Sequence, residues 1–291
     1  MDLVVGATGF VGGLATRQLC GRGRPVRALV RGGAGRSAAG SLIEAGASIV
    51  DGDLTQPASI ARACEGVEVV VCTVTAMPNA GGDALQRVDH DGALGLIREA
   101  ERAGARRFVY ISFSGNIRTD SPLGRAKRAC EAQLASSRME HAILRPSYFM
   151  EVWLGPHLGF DAANARARIY GDGQAKVSYV SGADVAAFAT AAATKPGPLR
   201  DTVEIGGPEP VSQLEAVALF ERTTGRSFTV EHVPLAALEA QYATDDPLQR
   251  TFAALSIAYA HGDAMPEARA NAERFGVALT SLADHAARMK R

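Results

Sequence analysis

Three glycines at fixed spacing open the chemistry. Gly6-Ala7-Thr8-Gly9-Phe10-Val11-Gly12 follows a short apolar run and leads into a helical pattern. Glycines let a backbone turn tightly and approach a pyrophosphate, whose charge then rests at a helix N-terminus. The pattern predicts a bound dinucleotide, held along Gly6, Thr8, Gly9, Phe10, Val11 and Gly12. The second chemical signal is Arg31. NAD-binding chains carry an acidic residue at the end of the second strand, where it accepts from ribose hydroxyls. Here that place is Arg31. Residues 3–43 hold no Asp or Glu but six arginines: Arg17, Arg22, Arg24, Arg27, Arg31 and Arg36. A 2′-phosphate needs a cationic, forked donor. Arg31, with Arg36 as a second, therefore predicts NADP(H) over NAD(H), while Arg22 and Arg24 read as a solvated basic face.

Other chemistries are absent from the pattern. The histidines, His90, His141, His157, His232, His261 and His285, form no His-x-His or His-x-x-x-His pair, so no metal site is expected. The cysteines Cys20, Cys64, Cys72 and Cys130 form no Cys-x-x-Cys pair. That spacing fits reduced thiols and a cytoplasmic setting. Neither a Gly-x-Ser-x-Gly elbow nor a Walker lysine is present. Tyr148, Phe149, Met150 and Trp153 are an aromatic-rich group that either lines an apolar substrate pocket or packs as core.

These residues need a frame. Short apolar runs at 3–5, 25–30, 47–50, 68–73, 107–112 and 141–145 read as strands buried on both faces. Helical patterns at 10–21, 38–45, 57–65, 83–103 and 122–137 alternate with them. That alternation predicts an α/β fold, a doubly wound parallel Rossmann sheet. After Arg145-Pro146 the rhythm is lost until a helix near 183–194 and a strand at 201–205. The remainder reads as helices at 211–224, 234–262 and 266–290 with a strand-like stretch at 227–233, and Ser212 with Glu215 forms a capping-box signature. Residues 1–147 plus 184–207 are thus expected to form the NADP-binding domain. Residues 148–183 plus 208–291 form a smaller, mostly helical substrate domain, and the cleft between the two is the expected substrate place.

Composition narrows the class. With 47% hydrophobic and 21% charged residues the chain is globular, and 31 Lys+Arg balance 31 Asp+Glu. A basic nucleic-acid binder is excluded on that balance. No apolar run nears the ~20 residues that span a bilayer, and the first residues lack a secretory pattern. A small-molecule substrate is expected, with no nucleic acid and no membrane, in a monomer or homodimer.

The sequence resembles the NmrA-like branch of the atypical short-chain dehydrogenase/reductases. The resemblance is carried by the glycine motif, Val30-Arg31, Gly52-Asp53-Leu54 and Arg107-Phe108-Val109-Tyr110-Ile111-Ser112. It continues in Leu144-Arg145-Pro146-Ser147-Tyr148-Phe149-Met150, Val180-Ser181-Gly182-Ala183-Asp184-Val185-Ala186, Gly206-Gly207-Pro208-Glu209 and Phe275-Gly276-Val277, and so covers nearly the whole chain. It implies that Asp53 and Leu54 contact adenine; the alternative for Asp53 is a helix cap before Pro57. It implies that Thr73, Val74 and Thr75 wall the ribose and phosphates, and that Ser112 lies under the nicotinamide half. Pro146, Ser147 and Tyr148 would form the nicotinamide and substrate edge, and Phe113, Phe149 and Trp153 the substrate contacts.

Classical members of the superfamily use Tyr-x-x-x-Lys, in which lysine lowers the tyrosine pKa and tyrosine gives the proton. The matching segment here is Leu123-Gly124-Arg125-Ala126-Lys127, so the tyrosine is missing. Lys127 remains, to hold the ribose and donate a proton, or else as a solvated lysine beside Arg125 and Arg128. Ser114 aligns with the superfamily's catalytic serine or is a turn residue. Tyr148 offers a phenol or packs. A quinone or other conjugated acceptor asks less of the protein, since hydride comes from the cofactor. The expectation is an NADPH-dependent reductase of a small apolar conjugated acceptor. The alternatives are an NADP(H)-sensing protein without turnover and a non-redox isomerase or cyclase.

Overall fold

The computed structural model describes residues 1–32, 35, 38–78 and 81–289. In chain order the strands are β1 (Asp2–Val5), β2 (Val26–Val30), β3 (Ser48–Asp51), β4 (Val69–Cys72), β5 (Arg107–Ile111) and β6 (Glu140–Pro146), then β7 (Phe160–Asp161), β8 (Arg166–Tyr170), β9 (Lys176–Val177), β10 (Arg200–Ile205), β11 (Val211–Ser212) and β12 (Thr229–Val233). The described residues cluster into two compact units. The first holds residues 1–112, 122–144 and 185–203; the second holds 113–121, 145–184 and 204–291.

The first unit is built on a seven-stranded sheet in the order β10-β6-β5-β4-β1-β2-β3. β1, β4 and β5 are buried along their whole length, as expected of strands covered on both faces. β1 pairs in parallel with β2 and with β4, Asp2 standing opposite Val26 on one side and Val69 on the other. From β1 the chain winds outward to β2 and β3 and then crosses to β4 on the other side of β1, which makes the carboxyl ends of β1 and β4 the switch point where ligands bind in such sheets. One face packs Leu3, Val5, Val70, Leu96, Ile97 and Phe108 into a shared core. The expected doubly wound sheet is therefore the observed one. The helical pattern at 83–103 begins as a π-helical turn, Leu85–Gly92, before the α-helix Ala93–Arg102.

The second unit is mostly helical. It also holds a three-stranded sheet, β12-β8-β7, and a two-stranded one, β11-β9. Residues 148–183 thus contain short strands that the sequence pattern did not show, because runs of two to five residues carry no readable period. The helix expected over 234–262 is two helices, Leu235–Tyr242 and Pro247–His261; Asp246 caps the second and Pro247 cannot continue the first. The pattern over 266–290 is also two, Ala268–Phe275 and Leu282–Met289, parted by Gly276 in the left-handed region at φ +64°. The capping box is present: Ser212 Oγ accepts from Glu215 N at 3.2 Å, and Glu215 Oε2 accepts from Ser212 N at 2.8 Å. Among the described residues no helix is long and apolar enough to cross a membrane.

Candidate functional site

The glycine loop is shaped by lack of room. Gly6 has φ +84°, and a Cβ on Gly12 would stand 2.1 Å from the Gly6 carbonyl oxygen. Gly9 N–H donates to that oxygen at 2.9 Å, closing the turn. The helix Phe10–Gly21 then starts with no side-chain cap and no acidic residue in its first turn. Its first amides and the positive end of its dipole are therefore unspent, an anion-binding arrangement. Thr8 and Gly9 are exposed, Phe10 is 52% exposed, and Val11 is half-buried.

Arg31 follows β2 and is exposed. The arginine-rich stretch sorts by partner. Arg24 forks onto Asp2 at 2.9 and 2.7 Å, Arg27 donates to the carbonyls of Ala63 and Glu65, and Arg22 donates to Thr194 Oγ1. Arg24 is thus not the solvated residue expected, because the fully buried carboxylate of Asp2 needs a counter-charge. Arg31 has no such partner among the described residues and faces a cavity of about 540 Å³ that Thr8, Gly52 and Asp53 also line. Arg36 lies outside the described residues.

Asp53 Oδ1 accepts from Thr55 N at 2.7 Å and from Thr55 Oγ1 at 2.8 Å. This is an Asx turn, not the helix cap weighed above: the helix Pro57–Cys64 is preceded by Gln56. Burial raises the Asp53 pKa, but the Thr55 bonds and the positive charges of Arg31 and Arg87 bring it below the ordinary aspartate value. Leu54 is buried beside it. After β4, Thr73 Oγ1 donates to the Val5 carbonyl at 3.2 Å and so ties that strand end to the glycine loop. Val74 is half-buried and Thr75 exposed.

Lys127 sits on the helix Pro122–Ser136, and Leu123, in the place of the tyrosine, is buried. Lys127 is 5% exposed, so it is not a solvated helix lysine. Its Nζ donates to the carbonyls of Val74 at 3.2 Å and Ile111 at 3.1 Å, just past β4 and at the end of β5, and lies 5.0 Å from the Tyr110 ring centre. An ammonium has three donors; two are spent, and the third has no partner among the described residues. Ser112 Oγ donates to Glu131 Oε1 at 2.6 Å.

Within the second unit the hydroxyls are committed. Ser114 Oγ donates to Asp263 Oδ1 at 2.7 Å and accepts from Asn116 N at 3.1 Å. Ser147 Oγ donates to Asp263 Oδ2 at 2.7 Å, and the Pro146 carbonyl accepts from Ser114 N at 2.9 Å. Tyr148 is buried and its hydroxyl donates to the Leu255 carbonyl at 3.0 Å. Burial, then the charges of Asp263 and Tyr179, push its pKa well above the usual phenol value. Trp153 is packed into a core of rings, 4.6 Å from Tyr148 edge-on and 4.5 Å from Tyr259. Phe113 and Phe149 are half-buried. The structure thus brings Ser114, Ser147 and Tyr148 together around one buried carboxylate and its neighbours, while Lys127, Thr73 and the glycine loop gather in the first unit.

Sequence reasoning missed three supporting carboxylates. Glu131 was within reach, four residues after Lys127 on the same helix face. Asp89, fully buried in the π-helical turn, accepts from Ala76 N at 2.8 Å and so holds the backbone after Thr75; its motif carries no spacing signal. Asp263 had none either, since its partners are remote in sequence.

A family model described as NAD(P)H-binding matches residues 6–196. The photosystem II assembly factor Ycf39 of Synechocystis sp. is 30% identical over 81% of this chain and 71% of its own length. The NAD(P)H azoreductase of Xenophilus azovorans is 31% identical over 84% of this chain and 80% of its own. An Escherichia coli NADPH-dependent quinone oxidoreductase, solved with NADPH, superposes with a TM-score of 0.82 at 20% identity, each chain fully covered, a likeness of fold.

Proposed function

The chain belongs to the NmrA-like branch of the atypical short-chain dehydrogenase/reductases, an NAD(P)H-binding family of oxidoreductases, and from that premise we propose that it reduces a small, largely apolar conjugated acceptor with NADPH. The acceptor class is a quinone, enone, imine or aromatic compound. The observation that carries this reading is Lys127. Of the three candidate proton donors it alone keeps an unspent proton; Ser114 and Tyr148 have given theirs to Asp263 and to the Leu255 carbonyl.

NADPH, when bound, supplies the hydride. The first-helix amides and glycine loop take the pyrophosphate, Arg31 the 2′-phosphate, and Asp53 with Leu54 the adenine side. Thr73, Val74 and Thr75 form the wall beside the ribose. Lys127 holds its ammonium on the two carbonyls and offers its third N–H to the ribose or to the reduced acceptor. A conjugated acceptor spreads the charge it gains, so one weak acid or a water completes the proton transfer, and positioning carries most of the rate. Leu123 supports such an acceptor: with no phenol there, the tyrosine-dependent proton transfer of a classical ketone reductase has no donor in its usual place.

The test is oxidation of NADPH by the purified protein against quinones, azo compounds, enones and imines, followed by nicotinamide absorbance. Turnover with one class supports the reading. A second reading is a nucleotide-binding protein that reports to a partner without turnover. It is favoured by the spent hydroxyls and by the likeness to Ycf39. Tight NADPH binding with no oxidation across the panel, and clearly different affinities for NADP+ and NADPH, would favour it.

A further inference from the structure

The cavity beside Arg31 has a second cation in its wall. Arg62 stands near the end of the helix Pro57–Cys64, whose other face buries Ser59, Ile60, Ala63 and Cys64. Arg62 is exposed, yet it lines the same 540 Å³ cavity as Thr8, Arg31, Asp51 and Asp53. Neither Arg31 nor Arg62 makes a side-chain hydrogen bond or ion pair with another described residue. Arg27, four residues before Arg31 and near the start of β2, has its guanidinium tied to the Ala63 and Glu65 carbonyls. The Asp53 carboxylate is likewise engaged, by Thr55. The cavity therefore presents two unspent guanidinium forks, one from the end of β2 and one from the helix after β3.

Two such forks fit one ligand chemistry, a phosphate monoester. It carries a charge of about −1.5 to −2 at neutral pH and three acceptor oxygens, more than one guanidinium satisfies. We propose that Arg62 is a second specificity-determining residue, closing on the cofactor's 2′-phosphate from the side opposite the strand end that carries Arg31. This rests on the NADPH reading above. A cofactor without that phosphate meets neither fork, so the preference for NADPH is divided between two residues, one of which the end of β2 does not announce.

Calorimetric titration of the full chain with 2′,5′-ADP and with 5′-AMP tests this without any need for turnover. The variants are Arg31→Ala, Arg62→Ala and the double substitution. Arg62→Ala is expected to weaken 2′,5′-ADP about tenfold or more, the loss of a charge-assisted contact, and to leave 5′-AMP within about twofold. Its unfolding midpoint should match the wild type, since the side chain is exposed. If Arg62→Ala binds 2′,5′-ADP as the wild type does while Arg31→Ala does not, the role of Arg62 falls and the NADPH reading stands. If the wild type binds both fragments equally, the NADPH reading falls and takes the role of Arg62 with it.

Discussion

Ser114 and Asp263, 149 residues apart in sequence, share a hydrogen bond of 2.7 Å. The Asp263 carboxylate is 2% exposed and also accepts from Asn116 Nδ2 at 2.9 Å and Ser147 Oγ at 2.7 Å. A buried carboxylate is costly unless its oxygens are supplied with donors. Ser114→Ala removes one of them. The expected cost is about 1–3 kcal/mol in urea unfolding, with kcat within about twofold of wild type. A collapse of kcat at unchanged stability would show instead that this hydroxyl reaches the substrate.

Lys127→Met keeps the length of the side chain and deletes its protons. Turnover is expected to fall about 100-fold or more, the usual worth of a positioned acid. Far-ultraviolet circular dichroism should keep its native shape. Steady-state rates with whichever acceptor the panel finds are the measurement, and an unchanged kcat would remove Lys127 from the chemistry.

The thiols should be quiet. Burial raises the pKa of Cys64 to about 11 and of Cys72 to about 12, and raises Cys130 and the half-buried Cys20 as well. The thiolate is the reactive form. Alkylation at pH 8 is therefore expected to label Cys20 slowly and the other three only after denaturation. Mass spectrometry of the peptides reads this out, and fast labelling of Cys72 or Cys130 would contradict their burial.

Two histidines make stability depend on pH. Burial lowers the pKa of His141 and of His285, and neither His141 Nδ1 nor His285 Nε2 has a hydrogen-bond partner among the described residues. Each folded pKa lies below the unfolded value of about 6.5. Their contribution is therefore present above that pH and is lost as pH falls through the folded values. Asp184 acts in the opposite sense, since burial raises its carboxyl pKa. Comparing urea unfolding of His141→Gln and His285→Gln with wild type between pH 8 and pH 5 isolates each histidine. The variants should lose less stability on acidification; equal slopes would show that the rings are not held neutral.

The sheet was legible because β1, β4 and β5 are apolar along their length, and burial on both faces leaves that mark in the residues themselves. The glycine loop was legible because Gly6 and Gly12 are required by space, not by preference. The breaks at Pro247 and Gly276 were written in the sequence too, but the helix-forming residues on either side of each read as one continuous run. What the sequence did not show is partnership at a distance. Nothing about Arg24 says that it serves Asp2, nothing about Ser114 says that its proton goes to Asp263, and nothing about Trp153 distinguishes a pocket wall from the ring core it shares with Tyr259. Such facts belong to the folded chain, because they depend on which remote segments meet.

The division of the chain into interleaved segments also sets an order of assembly. The first unit has all of its residues once position 203 is made, whereas the second gathers 113–121 and 145–184 with everything from 204 onward. During synthesis the hydroxyls of Ser114 and Ser147 and the rings of Tyr148 and Trp153 emerge early and wait for Asp263 and Tyr259. Nascent chains fold in units as those units become complete. From the completion of β10 until Asp263, Tyr259 and the helices after them are made, the chain therefore holds every strand of its large sheet while the second unit still lacks part of its core.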